Sequence, residues 1–290
     1  MICITGASGQ LGLHIQDQLI KKNYQYIAVE RSQLDISDAK EVQHFFKNLD
    51  LTLLINTAAY TNVDQAEKNA QEAYAVNEKG IQHLSDICNL YDAPMVHIST
   101  DYVFNGMSHE PYQPNDETDP LNIYGQSKLA GEKVLINNAN KFLLLRTSWV
   151  FSEYGKNFFK TILNLAKKNT HLRIVSDQFG NPTYAGDIAE ALVSAIPNIL
   201  LNQNINQVYH YGGHETCTWY EFATEICKEA LLRKIIFKMP DIIPVPTSEF
   251  ISKANRPQYS VLDSSIFCSN FNLSKSNWKL AIKKILKYYQ

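Results

Sequence analysis

The chain has 290 residues and carries 27 basic and 29 acidic side chains, for a formal net charge of -2. At about 150 residues per domain, that length makes two domains or one large one. A hydrophobic fraction of 45% and a charged fraction of 19% exclude a mainly disordered chain. The near-neutral balance argues against nucleic acid as the main partner, since such proteins need a basic face. No run approaches the roughly 18 consecutive apolar residues of a membrane span. The cysteines (Cys3, Cys88, Cys217, Cys227, Cys268) are odd in number and scattered, with no C-x-x-C. That pattern predicts small core thiols in a reducing compartment, hence a cytoplasmic protein.

In chain order, Ile2 to Thr5 reads as a short β-branched strand, Gly6 to Gly12 as a glycine-rich turn and Leu13 to Lys22 as a helix. Tyr26 to Val29 is a second strand, and Lys40 to Leu49 a helix through Val42, Phe45 and Phe46. Leu51 to Asn56 is a near-continuous apolar run, the pattern of a strand buried on both faces. Ala66 to Tyr91 has helical spacing interrupted at Gly80, and Pro94 to Ser99 and Leu143 to Arg146 are further buried strands. Strands alternating with helices imply a parallel sheet with right-handed crossovers, a doubly wound α/β fold of Rossmann type.

The second half is less regular. Asn105 to Asn122, with Pro111, Pro114 and Pro120, reads as a long loop. Thr218-Trp219-Tyr220-Glu221 matches a capping box that starts a helix to about Leu232. Pro240, Pro244, Pro246 and Pro257 are expected to break up the following stretch, and a last helix begins at Trp278. The expected division is a dinucleotide-binding domain over 1–149, to which about 184–212 returns. A smaller substrate lobe is expected from about 150–183 and 213–290.

Glycines at 6, 9 and 12 follow the first strand and open a helix. In that context Gly6 permits a tight turn, Gly9 lets a pyrophosphate approach the backbone, and Gly12 lets helix and strand pack closely. The helix start then offers N–H groups and a positive dipole end to phosphate. At the end of the second strand stand Glu30, Arg31 and Ser32. An acidic residue there suits the free ribose hydroxyl of NAD, whereas Arg and Ser suit the 2′-phosphate of NADP. Both are present, so NADPH is expected and NADH stays open.

Tyr124 and Lys128 lie one helical turn apart and share a face. A lysine cation so placed is expected to lower the pKa of the phenol and make it a usable general acid or base. Alone, Y-x-x-x-K is common by chance. Thr100 ends the apolar strand, where ligands of open parallel sheets bind, and its hydroxyl can bond an oxygen that gains charge.

Together these residues resemble the extended short-chain dehydrogenase/reductase superfamily, which Asn77 in A-V-N-E-K-G also fits. N-T-A-A-Y-T-N-V-D-Q-A-E from Asn56, S-T-D-Y-V-F from Ser99 and R-T-S-W-V-F from Arg146 narrow the likeness. So do D-Q-F-G-N-P-T from Asp177 and R-P-Q-Y-S-V-L from Arg256. The set is similar to the dTDP-4-dehydrorhamnose reductase family and spans nearly the whole chain. That resemblance implies reduction of the 4-keto group of dTDP-4-dehydro-L-rhamnose to dTDP-L-rhamnose. It further implies that Gly9, Gln10 and Leu11 meet the cofactor phosphates, that Asp35 and Ile36 flank the adenine, and that Ala59, Tyr60 and Thr61 line the nicotinamide side. Thr100 and Asp101 would meet the sugar and Trp149 would pack on it. Tyr124 would give the proton, with Lys128 on the nicotinamide ribose.

Position 57 is Thr where the family has Ala. Some relatives bridge a dimer with Mg2+ through acidic residues, and Gln16 and Asp17 stand near one such position. No metal is therefore expected, and a homodimer stays open. His210 and His214 are separated by glycines and make a poor metal pair. Two rival readings stand. One is a reductase or epimerase of another nucleotide-linked ketosugar. The other is a non-catalytic regulatory subunit resembling the methionine adenosyltransferase β subunit, which can keep an intact site.

Overall fold

A computed structural model describes residues 1–201, 205–250 and 252–289. Its first strand, β1 (Ile2–Thr5), runs into α1 (Gln10–Lys21) and back through β2 (Tyr26–Val29). Helix α2 (Ala39–Phe46), capped by the Asp38 side chain, leads to β3 (Leu53–Asn56). After α3 (Val63–Ala66), α4 (Ala70–Tyr74) and α5 (Gly80–Leu90) come β4 (Met95–Thr100), α6 (Ile123–Asn138) and β5 (Phe142–Thr147). The strand Gln207–His210 completes a six-stranded sheet beyond β5, with the order Gln207–His210, β5, β4, β3, β1, β2 and every pairing parallel. The expected doubly wound sheet is thus present.

Side chains alternate across a strand, and here both faces are buried. Ile2 and Ile4, Leu53 and Ile55, Leu143 and Leu145 pack on α1 and on α8 (Ala185–Leu201). Cys3, Leu54, Phe142 and Leu144 face the opposite way, toward α2, α5 and α6. That is why the strand sequences are near-continuously apolar. Each such Leu or Ile side chain contributes roughly 1.5–3 kcal/mol on burial. A further core joins α7 (Phe158–Lys168), α9 (Trp219–Leu232) and the helix Trp278–Ile285 through Phe159, Phe222 and Ile282. All five cysteines are free thiols, with only Cys268 partly exposed. Among the described residues no helix is long and apolar enough to cross a membrane.

Two segments differ from expectation. The long helical stretch 66–91 is broken well before Gly80, and Ala75–Lys79 forms a π-helical turn. Its wider winding brings the Asn77 backbone against α6, where a Cβ on Gly131 would stand 1.9 Å from Asn77 O. The asparagine side chain then accepts from Tyr60 N at 2.8 Å and donates to Ser127 Oγ at 2.9 Å. Such turns gather at functional sites. In the second half, Asp241–Val245 is a strand despite Pro244, paired in parallel with His171–Val175 in a sheet of only two strands. An edge strand tolerates proline where its missing N–H is not needed by the ladder.

The Asn105–Asn122 segment is a loop held firmly in place. Tyr112 stacks on Phe104 with ring centroids 4.1 Å apart. Pro114 O accepts from Arg146 Nη1 at 3.1 Å.

Candidate functional site

The polar residues Thr5, Asn56, Thr100 and Thr147 end β1, β3, β4 and β5. A cavity of about 810 Å³ opens at this carboxyl edge, where ligands of such sheets bind. It is lined by Gly6, Gly9, Gln10, Leu11, Arg31, Asp35, Ile36, Ala59, Tyr60, Thr61, Thr100, Asp101, Tyr124, Lys128 and Trp149. Every site residue expected from the sequence is therefore in one place except Gly12. That glycine lies beneath, where a Cβ would stand 2.4 Å from Gly6 O.

The glycine turn divides its labour. Gly6 has φ +73, and a Cβ there would stand 2.5 Å from Ala58 N, so the protein's own packing demands glycine. At Gly9 a Cβ would meet only Gly6 O, at 3.1 Å. Gly9 is exposed, lines the cavity and caps α1 without any side-chain acceptor. Its bare backbone and the helix start fit a pyrophosphate. Gln10 is fixed by Asn157, whose Nδ2 donates to Gln10 Oε1 at 2.7 Å and whose Oδ1 caps α7. The second half of the chain thereby reaches the glycine-turn end of the cavity.

At the end of β2, Arg31 is exposed and pairs with Asp35 at 3.5 Å and Glu72 at 3.3 Å. Glu30 accepts from Ser32 Oγ at 2.6 Å. Glu30 is thus occupied by its neighbour, while Arg31 lies on the cavity wall.

Helix α6 buries a polar face: Tyr124, Ser127, Lys128 and Glu132. Asn122 caps it, accepting from Gly125 N at 2.8 Å. Tyr124 meets Tyr102 edge-on, with centroids 5.5 Å apart. The tuning of Tyr124 differs from the sequence expectation. Burial pushes the phenol above its ordinary value, and among the smaller influences the Thr100 hydroxyl lowers it. Lys128 Nζ donates to Ile98 O at 2.7 Å, and burial lowers the lysine's pKa to about 8. Tyr124 therefore holds its proton at neutral pH, the state a proton donor needs.

Thr100 Oγ1 accepts from Tyr102 N at 3.2 Å and donates to Asp101 Oδ1 at 3.1 Å. Burial raises Asp101 to about 7. Its Oδ2 and the Thr147 hydroxyl are buried without a hydrogen-bond partner, and both residues line the cavity. Buried polar atoms seldom go unpaired, so two at one cavity fit hydroxyl groups of a ligand. Trp149 has φ +46 and stacks on Trp219 with centroids 3.4 Å apart. The sequence alone does not single out Thr147, Asn157 and Trp219 as site residues. The unpaired hydroxyl and the aromatic stack appear only once distant segments are brought together. Among the described residues no three His, Cys, Asp or Glu side chains group as a metal site.

The family model described as RmlD substrate binding domain matches residues 1–290. The chain belongs to the RmlD substrate binding domain family. A dTDP-4-dehydrorhamnose reductase of Aggregatibacter actinomycetemcomitans is 38% identical over 99% of this chain and 98% of that protein. The spore coat polysaccharide biosynthesis protein SpsK of Bacillus subtilis is also 38% identical, over 99% of this chain and 96% of its own. Among solved structures, the dTDP-4-dehydrorhamnose reductase of Bacillus anthracis in complex with NADP has a TM-score of 0.88 at 34% identity. It covers 99% of this chain and 98% of that one. The RmlD fold extends to the UDP-glucose 4-epimerase of Thermus thermophilus, with a TM-score of 0.83 at 19% identity, which speaks for the fold alone.

Proposed function

We propose that the chain is an NAD(P)H-dependent dTDP-4-dehydrorhamnose reductase that converts the 4-keto group of dTDP-4-dehydro-L-rhamnose to the hydroxyl of dTDP-L-rhamnose. One observation carries this reading. Tyr124, Lys128, Thr100 and Asp101 share a single cavity with the glycine turn in a chain so closely related to proteins of that name. The cofactor residues would be Gly6, Gly9, Gln10 and Leu11 at the phosphates, Arg31, Asp35 and Ile36 at the adenosine end, and Ala59, Tyr60 and Thr61 nearer the reacting ring. NADPH bound there supplies the hydride equivalent. Tyr124 gives its proton to the sugar oxygen, Thr100 donates to that oxygen, and Lys128 steadies the ribose. Asp101 Oδ2 and Thr147 accept or donate to sugar hydroxyls, and Trp149 packs on the sugar.

In this reading residues 1–149 with about 184–212 hold the cofactor. The segments 150–183 and 213–290 hold the nucleotide sugar, so the two units interleave. The enzyme works in the cytoplasm, where its free thiols stay reduced, and its small-molecule partner needs no basic surface. Purified protein given dTDP-4-dehydro-L-rhamnose is expected to consume NADPH in step with dTDP-L-rhamnose formation. Absence of turnover with this sugar, alongside turnover of another nucleotide ketosugar, would replace the substrate assignment. Capture of a catalytic partner with no turnover of any such sugar would favour the regulatory-subunit reading.

Cofactor choice has its own test. Arg31→Ala removes the cavity-wall cation and leaves Glu30 in place. The KM for NADPH is expected to rise about tenfold, a loss on the order of 1.4 kcal/mol for one charge-assisted contact. KM for NADH should change little. Equal effects on the two cofactors would remove Arg31 from the 2′-phosphate site.

A further inference from the structure

Behind Lys128 runs a buried polar chain that the reaction above does not use. Lys128 Nζ lies 3.4 Å from His97 Nε2. Across the ring, His97 Nδ1 lies 2.9 Å from Asn56 Nδ2. Asn56 Oδ1 accepts from Ala58 N–H at 3.1 Å and from the Thr5 hydroxyl at 2.6 Å. His97 and Asn56 are completely buried, and Thr5 and Lys128 nearly so.

The hydrogen positions along this chain follow from one backbone group. Ala58 N–H can only donate, so the carbonyl end of Asn56 must face it. The amide NH2 then faces His97 Nδ1, which must accept. An imidazole that accepts at Nδ1 is neutral and carries its proton on Nε2. His97 therefore turns an N–H, not a lone pair, toward Lys128. An ammonium group has three donors and no acceptor, whereas a neutral amine has a lone pair to take that N–H.

We propose that Asn56 and His97 form a positioning device for Lys128, in which the fixed Nε2–H of His97 favours the neutral amine of the lysine. The use of this device rests on the proposed role of Lys128 at the nicotinamide ribose: between His97 Nε2 and Ile98 O the lysine nitrogen keeps its place, with Ile98 O accepting from it in either charge state and the His97 N–H donating to the neutral amine. Burial works in the same direction on the lysine, and Glu132 opposes it. The titratable and charged groups bearing on Lys128 are His97 from β4, Glu132 on its own helix and, through Glu132, Arg146 on β5. Burial and the lysine charge both hold His97 well below its ordinary pKa.

The test is spectroscopic and does not depend on substrate. Long-range 1H–15N spectra of the protein are expected to show His97 as the neutral Nε2–H form without titration across pH 6–9 (about the range around its ordinary pKa and above). The 13Cε shift of Lys128 should titrate with a midpoint near 8. An Nδ1–H or titrating His97, or a lysine midpoint near its ordinary value of about 10.4, overturns the proposal. Asn56→Asp keeps an acceptor for Ala58 N–H and Thr5 but offers Nδ1 an acceptor too. In that variant the Lys128 midpoint should rise by about one pH unit, and an unmoved midpoint also overturns it. Failure of dTDP-4-dehydro-L-rhamnose turnover would leave these spectra untouched, so the two readings fail separately.

Discussion

Replacing Tyr124 by phenylalanine is expected to lower kcat by about 10²–10⁴-fold, the usual worth of a positioned proton donor. NADPH binding, read by fluorescence titration, should hardly change. The substitution removes only the hydroxyl, and the ring keeps its contacts with Ala66 and Ala73. Thermal stability should therefore stay close to that of the parent. The direction of the wild-type pH profile follows from the pKa shifts. Burial raises Tyr124, so its acid form persists well above neutrality. As pH rises, Asp101, raised to about 7, changes state first, and Lys128, lowered to about 8, follows. Turnover should thus change as pH passes about 7 and fall further as it passes about 8. A Tyr124→Phe enzyme with parental kcat would remove the tyrosine from the chemistry. In that case Asp101, raised to about 7 and lining the same cavity, would become the candidate acid.

The parts of this site legible in the sequence are those built from residues close together in the chain. The glycine turn and the Tyr124–Lys128 spacing are fixed by local geometry, one by a strand-to-helix turn and the other by helical period. The sheet was legible because a strand buried on both faces has no polar alternation to confuse it. What stayed hidden depends on packing between distant segments. Trp219 reads as the first helical residue after a capping box, and nothing local says that it stacks on Trp149. Asn157 reads as a helix cap, yet it also holds Gln10. The π-helical turn at Ala75–Lys79 follows from a close approach to α6 that no periodicity carries. Spacing alone likewise suggested that Lys128 would lower Tyr124. Burial, which depends on the whole fold, outweighs it.

Breaking the Arg146–Glu132 pair is expected to be the most destabilising single change near the site. Arg146 Nη2 and Nε reach Glu132 Oε2 and Oε1 at 2.7 and 3.0 Å, and the two side chains are 5% and 1% exposed. Ser99 Oγ also donates to Glu132 Oε1, at 2.5 Å. Arg146→Ala would strand the carboxylate with that one donor, at a cost of about 3–5 kcal/mol, read as a lower urea midpoint at unchanged slope. The double change Arg146→Met with Glu132→Leu should recover much of this, because two apolar side chains do not have to be paired. Activity should not recover with it. Pro114 O loses its donor when the guanidinium goes, which loosens the 105–122 loop. Glu132 is also the charge that opposes the lowering of Lys128, so its loss should move the basic limb of the pH profile to lower pH. A double variant with restored stability and an unshifted profile would show that the pair serves the fold alone. A shifted profile would show that Glu132 sets the charge state of Lys128.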